Sequence, residues 1–128
     1  PTLKVPVLGI CLGMQMMCAH SQEGGGAEGL GIFPMTVRRF VGEEKIPHMG
    51  WNDIYGLSSP IMEGVSEGKV YFVHSYYVEV DDRYTIARCD YMGKFSAAIK
   101  RDNFYGVQFH PEKSAAMGEM IIKNFLEL

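Results

Sequence analysis

The chain has 128 residues, of which 47% are apolar and 21% charged, and a formal net charge of −3, a balance that fits one soluble globular domain with its own hydrophobic core. There is no Lys/Arg run to suggest nucleic acid or anionic lipid as a partner, no apolar stretch near the ~20 residues of a membrane span, and no charged-then-apolar opening like a signal peptide. Cys11, Cys18 and Cys89 are odd in number and irregularly spaced, and a Cys11/Cys18/His20 set lacks the spacing of a zinc knuckle. The expectation is therefore reduced thiols in a cytoplasmic protein, with no metal and a small-molecule or protein partner.

In chain order, Val5 to Ile10 form a short apolar run ending at Gly9-Ile10-Cys11-Leu12-Gly13, and Met14 to Ala19 continue with good helix formers. This predicts strand, tight turn and helix, with Cys11 on the turn. Gly24 to Gly26, Gly29 and Gly31 predict a flexible loop. Strands are then predicted over Ile32–Phe40, Val70–His74, Tyr76–Val80, Tyr84–Cys89, Phe95–Lys100 and Tyr105–Phe109, with Arg101-Asp102-Asn103 as a hairpin connection. Ser114 reads as the N-cap of an amphipathic C-terminal helix, with Met117, Ile121, Phe125 and Leu128 at helical spacing and Glu119 and Lys123 as an i,i+4 pair. The pattern is that of an α/β sandwich with an appended antiparallel portion.

Gly-x-Cys-x-Gly between a strand and a helix is the arrangement of a nucleophile elbow, which turns the central side chain out of the fold. A helix N-terminus there favours the thiolate and lowers the cysteine pKa, and the Leu12 N–H faces the oxyanion of an attacked carbonyl. Taken alone, Cys11 also reads as a small buried hydrophobe. The second cluster is Gly106-Val107-Gln108-Phe109-His110-Pro111-Glu112-Lys113-Ser114. His110 precedes a proline and favours extended geometry, so Glu112, two residues on, shares its side and can orient the ring. Cysteine nucleophile, histidine base and acidic orienter then form a triad of Cys11, His110 and Glu112. An isolated His-Pro-Glu would instead be an ordinary surface pattern.

Pro6 to Gln15 and Gly106 to Glu112 resemble the two signature blocks of class I glutamine amidotransferases. Pro47-His48-Met49-Gly50-Trp51-Asn52 and Tyr71-Phe72-Val73-His74-Ser75-Tyr76 resemble segments of the glutaminase subunits of imidazole glycerol phosphate synthases within that family. The resemblance implies a single domain over residues 1–128 with a flavodoxin-like three-layer α/β sandwich and a mixed sheet. It also implies hydrolysis of glutamine without metal or organic cofactor, and delivery of ammonia to a (β/α)8-barrel cyclase subunit in histidine biosynthesis. Gln15 and Glu23 would bind the substrate, with backbone contacts from His74, Ser75 and Tyr76; Trp51, Asn52, Tyr71 and Lys113 would lie near the partner interface and ammonia exit. Read without the family, Gln15 is a solvated helix residue, Glu23 a loop residue, Trp51 and Tyr71 core or sheet-face aromatics, and Lys113 a surface lysine.

The departure from the pattern is at the front. Family members carry further sequence before the elbow, including a Gly-rich loop that completes the oxyanion hole, and Pro1 to Lys4 do not supply it. The chain is thus expected to be N-terminally incomplete and not a competent glutaminase alone. Two rivals remain: another amidotransferase of the same class, and an inactive glutaminase-like module that only binds a partner.

Overall fold

The computed structural model describes residues 5–23, 26–42 and 44–128. Pro1 to Lys4, and Gly24 and Gly25 of the expected loop, lie outside the described residues. The sheet that carries the elbow has the order β1 (Val7–Ile10), β10 (Phe104–Val107), β9 (Lys94–Arg101), β8 (Thr85–Asp90). β1 runs parallel to β10, with Gly9 opposite Gly106 and Ile10 opposite Val107, whereas β10–β9 and β9–β8 are antiparallel. Phe95 to Ile99 are all buried, the continuous run expected of a strand covered on both faces. The β9–β10 connection turns at Asp102, whose φ of 54° is one that Asp tolerates better than most residues.

A second sheet has the order β3 (Ala27–Glu28), β2 (Cys18–Ser21), β4 (Phe33–Arg39), β7 (Tyr76–Val78), and a hairpin pairs β5 (His48–Ile54) with β6 (Gly68–His74). Here the structure corrects the sequence reading. The helix expected over Met14–Ala19 is α1 (Leu12–Met16), five residues long, and the chain is already in β2 at Cys18. Helix propensity is overridden because Cys18 is fully buried and β2 pairs parallel with β4 and antiparallel with β3. Ala27 and Glu28 of the expected glycine loop form β3. Gly29 has the reason for its type here: a Cβ would lie 1.9 Å from the Cys18 carbonyl oxygen. β5 is a strand that the sequence pattern does not announce, because its Met-Gly-Trp-Asn-Asp stretch has no clean β-branched alternation; seven cross-strand partners in β6, from His48–His74 to Ile54–Gly68, hold it extended.

One core cluster includes Ile54, Phe72, Phe95, Phe109 and Ile121, and a second, including Met14, Cys18, Phe33, Met35 and Ile99, lies under the elbow. The C-terminal helix α2 (Ala115–Leu126) buries Gly118 and Ile121 and sets Phe125 edge-on to Tyr105 at 6.0 Å. Leu128 lies beyond its end. Ser114 occupies the N-cap position but does not cap. Its hydroxyl donates to His110 O at 2.6 Å and accepts from Tyr71 N at 3.0 Å, tying the loop before the helix to β6. Among the described residues no helix is long and apolar enough to cross a membrane.

Candidate active site

Because β1 and β10 are parallel neighbours, the segments that follow them leave the same end of the sheet. Cys11 follows β1, and Gln108 to Glu112 follow β10. Crevices at the carboxyl ends of such strands are where α/β folds place their chemistry. Cys11 has φ 53° and ψ −106°, a conformation that costs a side-chain-bearing residue free energy and is held by its surroundings. Its N–H donates to Val107 O at 2.7 Å, and its carbonyl accepts from Gln15 N at 3.2 Å. The two glycines of the motif are not equivalent. A Cβ on Gly9 would lie 2.8 Å from the backbone of Gly13 and Met14, so glycine lets the helix sit on the strand; one on Gly13 would meet no described atom within 4 Å.

The half-buried Cys11 thiol donates to Val73 O at 3.6 Å and accepts from Gln108 Nε2 at 3.6 Å. Burial pushes the thiol up; the Leu12 N–H and the Gln108 amide pull it down, the Glu112 charge adds to the rise, and it stays above its ordinary value. The expected lowering by a helix N-terminus is therefore not what the structure gives. Five residues gather little dipole, and desolvation outweighs it. A nucleophile held as thiol needs a base.

His110 N–H donates to Tyr71 O at 2.9 Å, which pins the residue to β6, and its φ of −97° and ψ of 99° are extended, as its proline neighbour requires. Pro111–Lys113 form one 3-10 turn, which brings Glu112 Oε2 to 3.1 Å from His110 Nδ1. Burial raises the Glu112 carboxyl, but its own backbone N–H, His110 and Lys113 together bring it below its ordinary value, so it stays ionised near neutral pH. With Nδ1–H donating to that carboxylate, Nε2 is left to take or give a proton. The pair predicted at two-residue spacing is thus formed.

A pocket of about 250 Å³ opens beside the elbow, lined by Leu12, Gln15, Met16, Ser21, Glu23 and Leu30 among others. It unites Leu12, Gln15 and Glu23, which the sequence singles out separately. Gln15 is not a free helix residue: its Nε2 donates to Tyr76 O at 3.1 Å and to Gln108 Oε1 at 2.9 Å. Glu23 is exposed. Ser75 O accepts from Phe40 N at 3.2 Å. Gln108, fully buried, stands in the motif without a role assigned from sequence; a buried amide in a catalytic-looking loop is the signal that finds it.

The imidazole of His74 points inward. His74 Nδ1 lies 2.7 Å from Tyr76 O and Nε2 lies 3.0 Å from His48 Nδ1, with both rings packed among Phe40, Phe72 and Phe95. Burial pushes both down to about 4, aided at His74 by the neighbouring His48 and His110. The unfolded chain, with histidine near 6.5, binds more protons than the folded one between those values. The stability of keeping them neutral is complete above about pH 6.5 and is lost as pH falls toward 4. One such histidine costs roughly 3 kcal/mol when forced to charge, and because the rings touch, the two losses are not independent. Urea midpoints are expected to fall steeply from pH 6.5 to 4.5; an acid limb confined below pH 4 would assign it to carboxylates instead.

On the outer face of the β5–β6 hairpin, Trp51 is 51% exposed and meets Tyr71 edge-on at 5.9 Å, beside the exposed Met49. Asn52 turns its amide to His48 Nε2 and to Asp90 O, both at 3.2 Å, and Lys113 is exposed on the turn that carries Glu112. The sheet-face reading of Trp51 holds.

Residues 2–128 match the family described as glutamine amidotransferase class-I. The chain is 58% identical to the imidazole glycerol phosphate synthase subunit HisH of Bacteroides fragilis, over 98% of the chain and 65% of that protein. It is 47% identical to that of Archaeoglobus fulgidus, over 99% and 66%. It thus spans a little under two thirds of the length of these relatives. Among solved structures, a putative GMP synthase component from Thermoplasma acidophilum superposes with a TM-score of 0.72 at 24% identity, covering 98% of this chain and 57% of the other. A glutamine amidotransferase from Thermotoga maritima gives 0.61 at 21%, covering 97% and 48%. These two carry the fold, which is the α/β class read from the sequence, and the family match over nearly every residue carries the rest: the chain belongs to the class-I glutamine amidotransferases.

Proposed function

We propose that the protein is the glutaminase subunit of an imidazole glycerol phosphate synthase, hydrolysing glutamine at Cys11 and passing ammonia to a (β/α)8-barrel cyclase. The observation that carries the chemistry is the left-handed Cys11 on its elbow, beside a loop whose His110 is already bonded to Glu112. Relatives bearing the synthase-subunit name support the acceptor. His110 takes the Cys11 proton as the sulfur attacks the side-chain amide carbon of glutamine. It returns that proton to the nitrogen as the C–N bond breaks, releasing NH3 and leaving a thioester. Water, giving a proton to His110, then attacks the thioester; the C–S bond breaks, glutamate leaves, and the thiol is restored. Glu112 orients His110 and stabilises its cation. The Leu12 N–H, which hydrogen-bonds the Cys11 sulfur, is the donor we assign to the carbonyl oxygen that becomes negative on attack.

Gln15 commits its NH2 to protein acceptors, so its Oε1 is the atom left for the substrate's ammonium group, with the Glu23 carboxylate as a second anchor in the same pocket. The exposed Trp51, the half-buried Tyr71 against it and Lys113, with Asn52 behind them, are the surface we assign to the cyclase. Tyr71 belongs to both sides, since its carbonyl holds His110.

The test is labelling of the complete gene product with a diazo-ketone analogue of glutamine, followed by peptide mapping. The adduct is expected on Cys11 alone, because Cys18 and Cys89 are buried thiols pushed up to about 12. An adduct elsewhere ends the assignment. Glutaminase turnover is expected to rise when the cognate cyclase and its ligand are added; indifference to them would move the protein to another class-I amidotransferase.

A further inference from the structure

Two runs of hydrogen bonds meet at the carbonyl of Tyr76, and the direction of each is forced. On the hairpin side, Asn52 Nδ2 donates to Asp90 O at 3.2 Å and Asn52 Oδ1 accepts from Asp53 N at 2.8 Å, which fixes the amide. The same NH2 lies 3.2 Å from His48 Nε2, which therefore accepts. A neutral His48 then carries its proton on Nδ1, 3.0 Å from His74 Nε2, and His74 carries its own on Nδ1, 2.7 Å from Tyr76 O. On the other side a carbonyl can only accept, so the Gln15 nitrogen at 3.1 Å is fixed, and with it the 2.9 Å contact from that nitrogen to Gln108 Oε1. Gln108, whose oxygen is thereby taken, turns Nε2–H to the Cys11 sulfur at 3.6 Å. Backbone carbonyls thus settle three amides and two tautomers.

Resting on Cys11 as the nucleophile, we propose that Gln108 is a catalytic hydrogen-bond donor to the Cys11 sulfur, and that Gln15, fixed by the Tyr76 carbonyl, is the positioning residue that holds its amide in that orientation. When the thiol gives up its proton, the Val73 carbonyl loses its donor and faces an anion, while the Gln108 N–H gains a charged acceptor. A fully buried amide makes that gain without reorganising. Were Gln15 removed, the Gln108 oxygen would lose the donor that keeps it from turning toward the sulfur, where it repels the thiolate; the His74 run ends on the same carbonyl and leaves the Gln15 direction as it is. The His74 run begins at Asn52, next to the exposed Trp51, and meets the Gln15 run only at the Tyr76 carbonyl, which accepts from both.

Alkylation of Cys11 by iodoacetamide, followed against pH in the complete gene product without glutamine, reads this directly. Gln108→Met keeps the length and removes the donor; its alkylation midpoint is expected about one pH unit higher, with a rate at pH 7.5 about tenfold lower. Gln15→Leu, which leaves the Gln108 oxygen without its donor, should shift the same way. Nitrogen-15 NMR of the unsubstituted protein needs no variant to fold: the Gln108 side-chain NH2 is expected to shift with pH as the Cys11 thiol ionises, and an NH2 signal that ignores that ionisation counts against the bond. An unchanged profile in Gln108→Met, or in Gln15→Leu, overturns the inference with the nucleophile intact. A Cys11→Ser protein that still releases ammonia from glutamine instead removes the nucleophile, and the catalytic role of Gln108 with it.

Discussion

Replacement of Cys11 by alanine in the complete gene product is expected to lower glutaminase turnover by about 10⁴- to 10⁶-fold, the range seen when a covalent nucleophile is removed from a triad. Neither Cys18 nor Cys89 can take over, since both are buried in the two cores. His110→Ala should cost nearly as much, because the Cys11 thiol sits above its ordinary pKa and does not ionise unaided. Glu112→Ala should cost roughly a hundredfold less than either. Its side chain is 53% exposed, so water can in part replace it at His110 Nδ1. Steady-state ammonia release from glutamine orders the three. A Cys11→Ala protein retaining even a hundredth of the activity would mean that glutamine is attacked directly by water, and wild-type rates in Glu112→Ala would mean that another group orients the histidine.

The second large effect is expected from a residue that touches no substrate. A Cβ on Gly118 would stand 1.8 Å from the carbonyl oxygen of Pro111, 2.7 Å from its carbon and 3.0 Å from its Cα, all backbone. Gly118→Val therefore forces the first turn of α2 away from the turn that carries Glu112. Both are tied down, by Ser114 to Tyr71 and by Asn124 Nδ2 to Ile61 O and Glu63 O at 2.9 and 2.7 Å. Overpacking against backbone costs about 3 kcal/mol or more, a fall of on the order of 10 °C in melting temperature. Turnover measured well below that melting point should still drop, because the His110–Glu112 pair moves with the turn. Full activity with a lowered melting temperature would confine Gly118 to packing, and an unchanged melting temperature would contradict the close approach itself.

Residues near in sequence were legible because local chemistry decides them. The elbow at Cys11 is a matter of a glycine, a strand and a turn; His110 and Glu112 meet because a proline and one 3-10 turn separate them by two residues. The α/β class, the β9–β10 turn and the C-terminal helix follow from periodicity and turn chemistry in the same way. The places where local reading failed are those where distant partners outbid propensity. Cys18 to Ser21 leave the helix because β4 offers a strand to pair with, His48 to Ile54 are extended because β6 is opposite, and Ser114 gives its hydroxyl to His110 and Tyr71 instead of to its own helix. What the sequence by itself determined is which residues are candidates to react. What only the tertiary structure decided is their state: burial sets the Cys11 thiol above its ordinary pKa and keeps His48 and His74 neutral, and contacts across 61 to 97 residues of chain align Gln15 and Gln108 on the sulfur. Desolvation and hydrogen-bond direction depend on what surrounds a group in space, and no spacing along the chain encodes them.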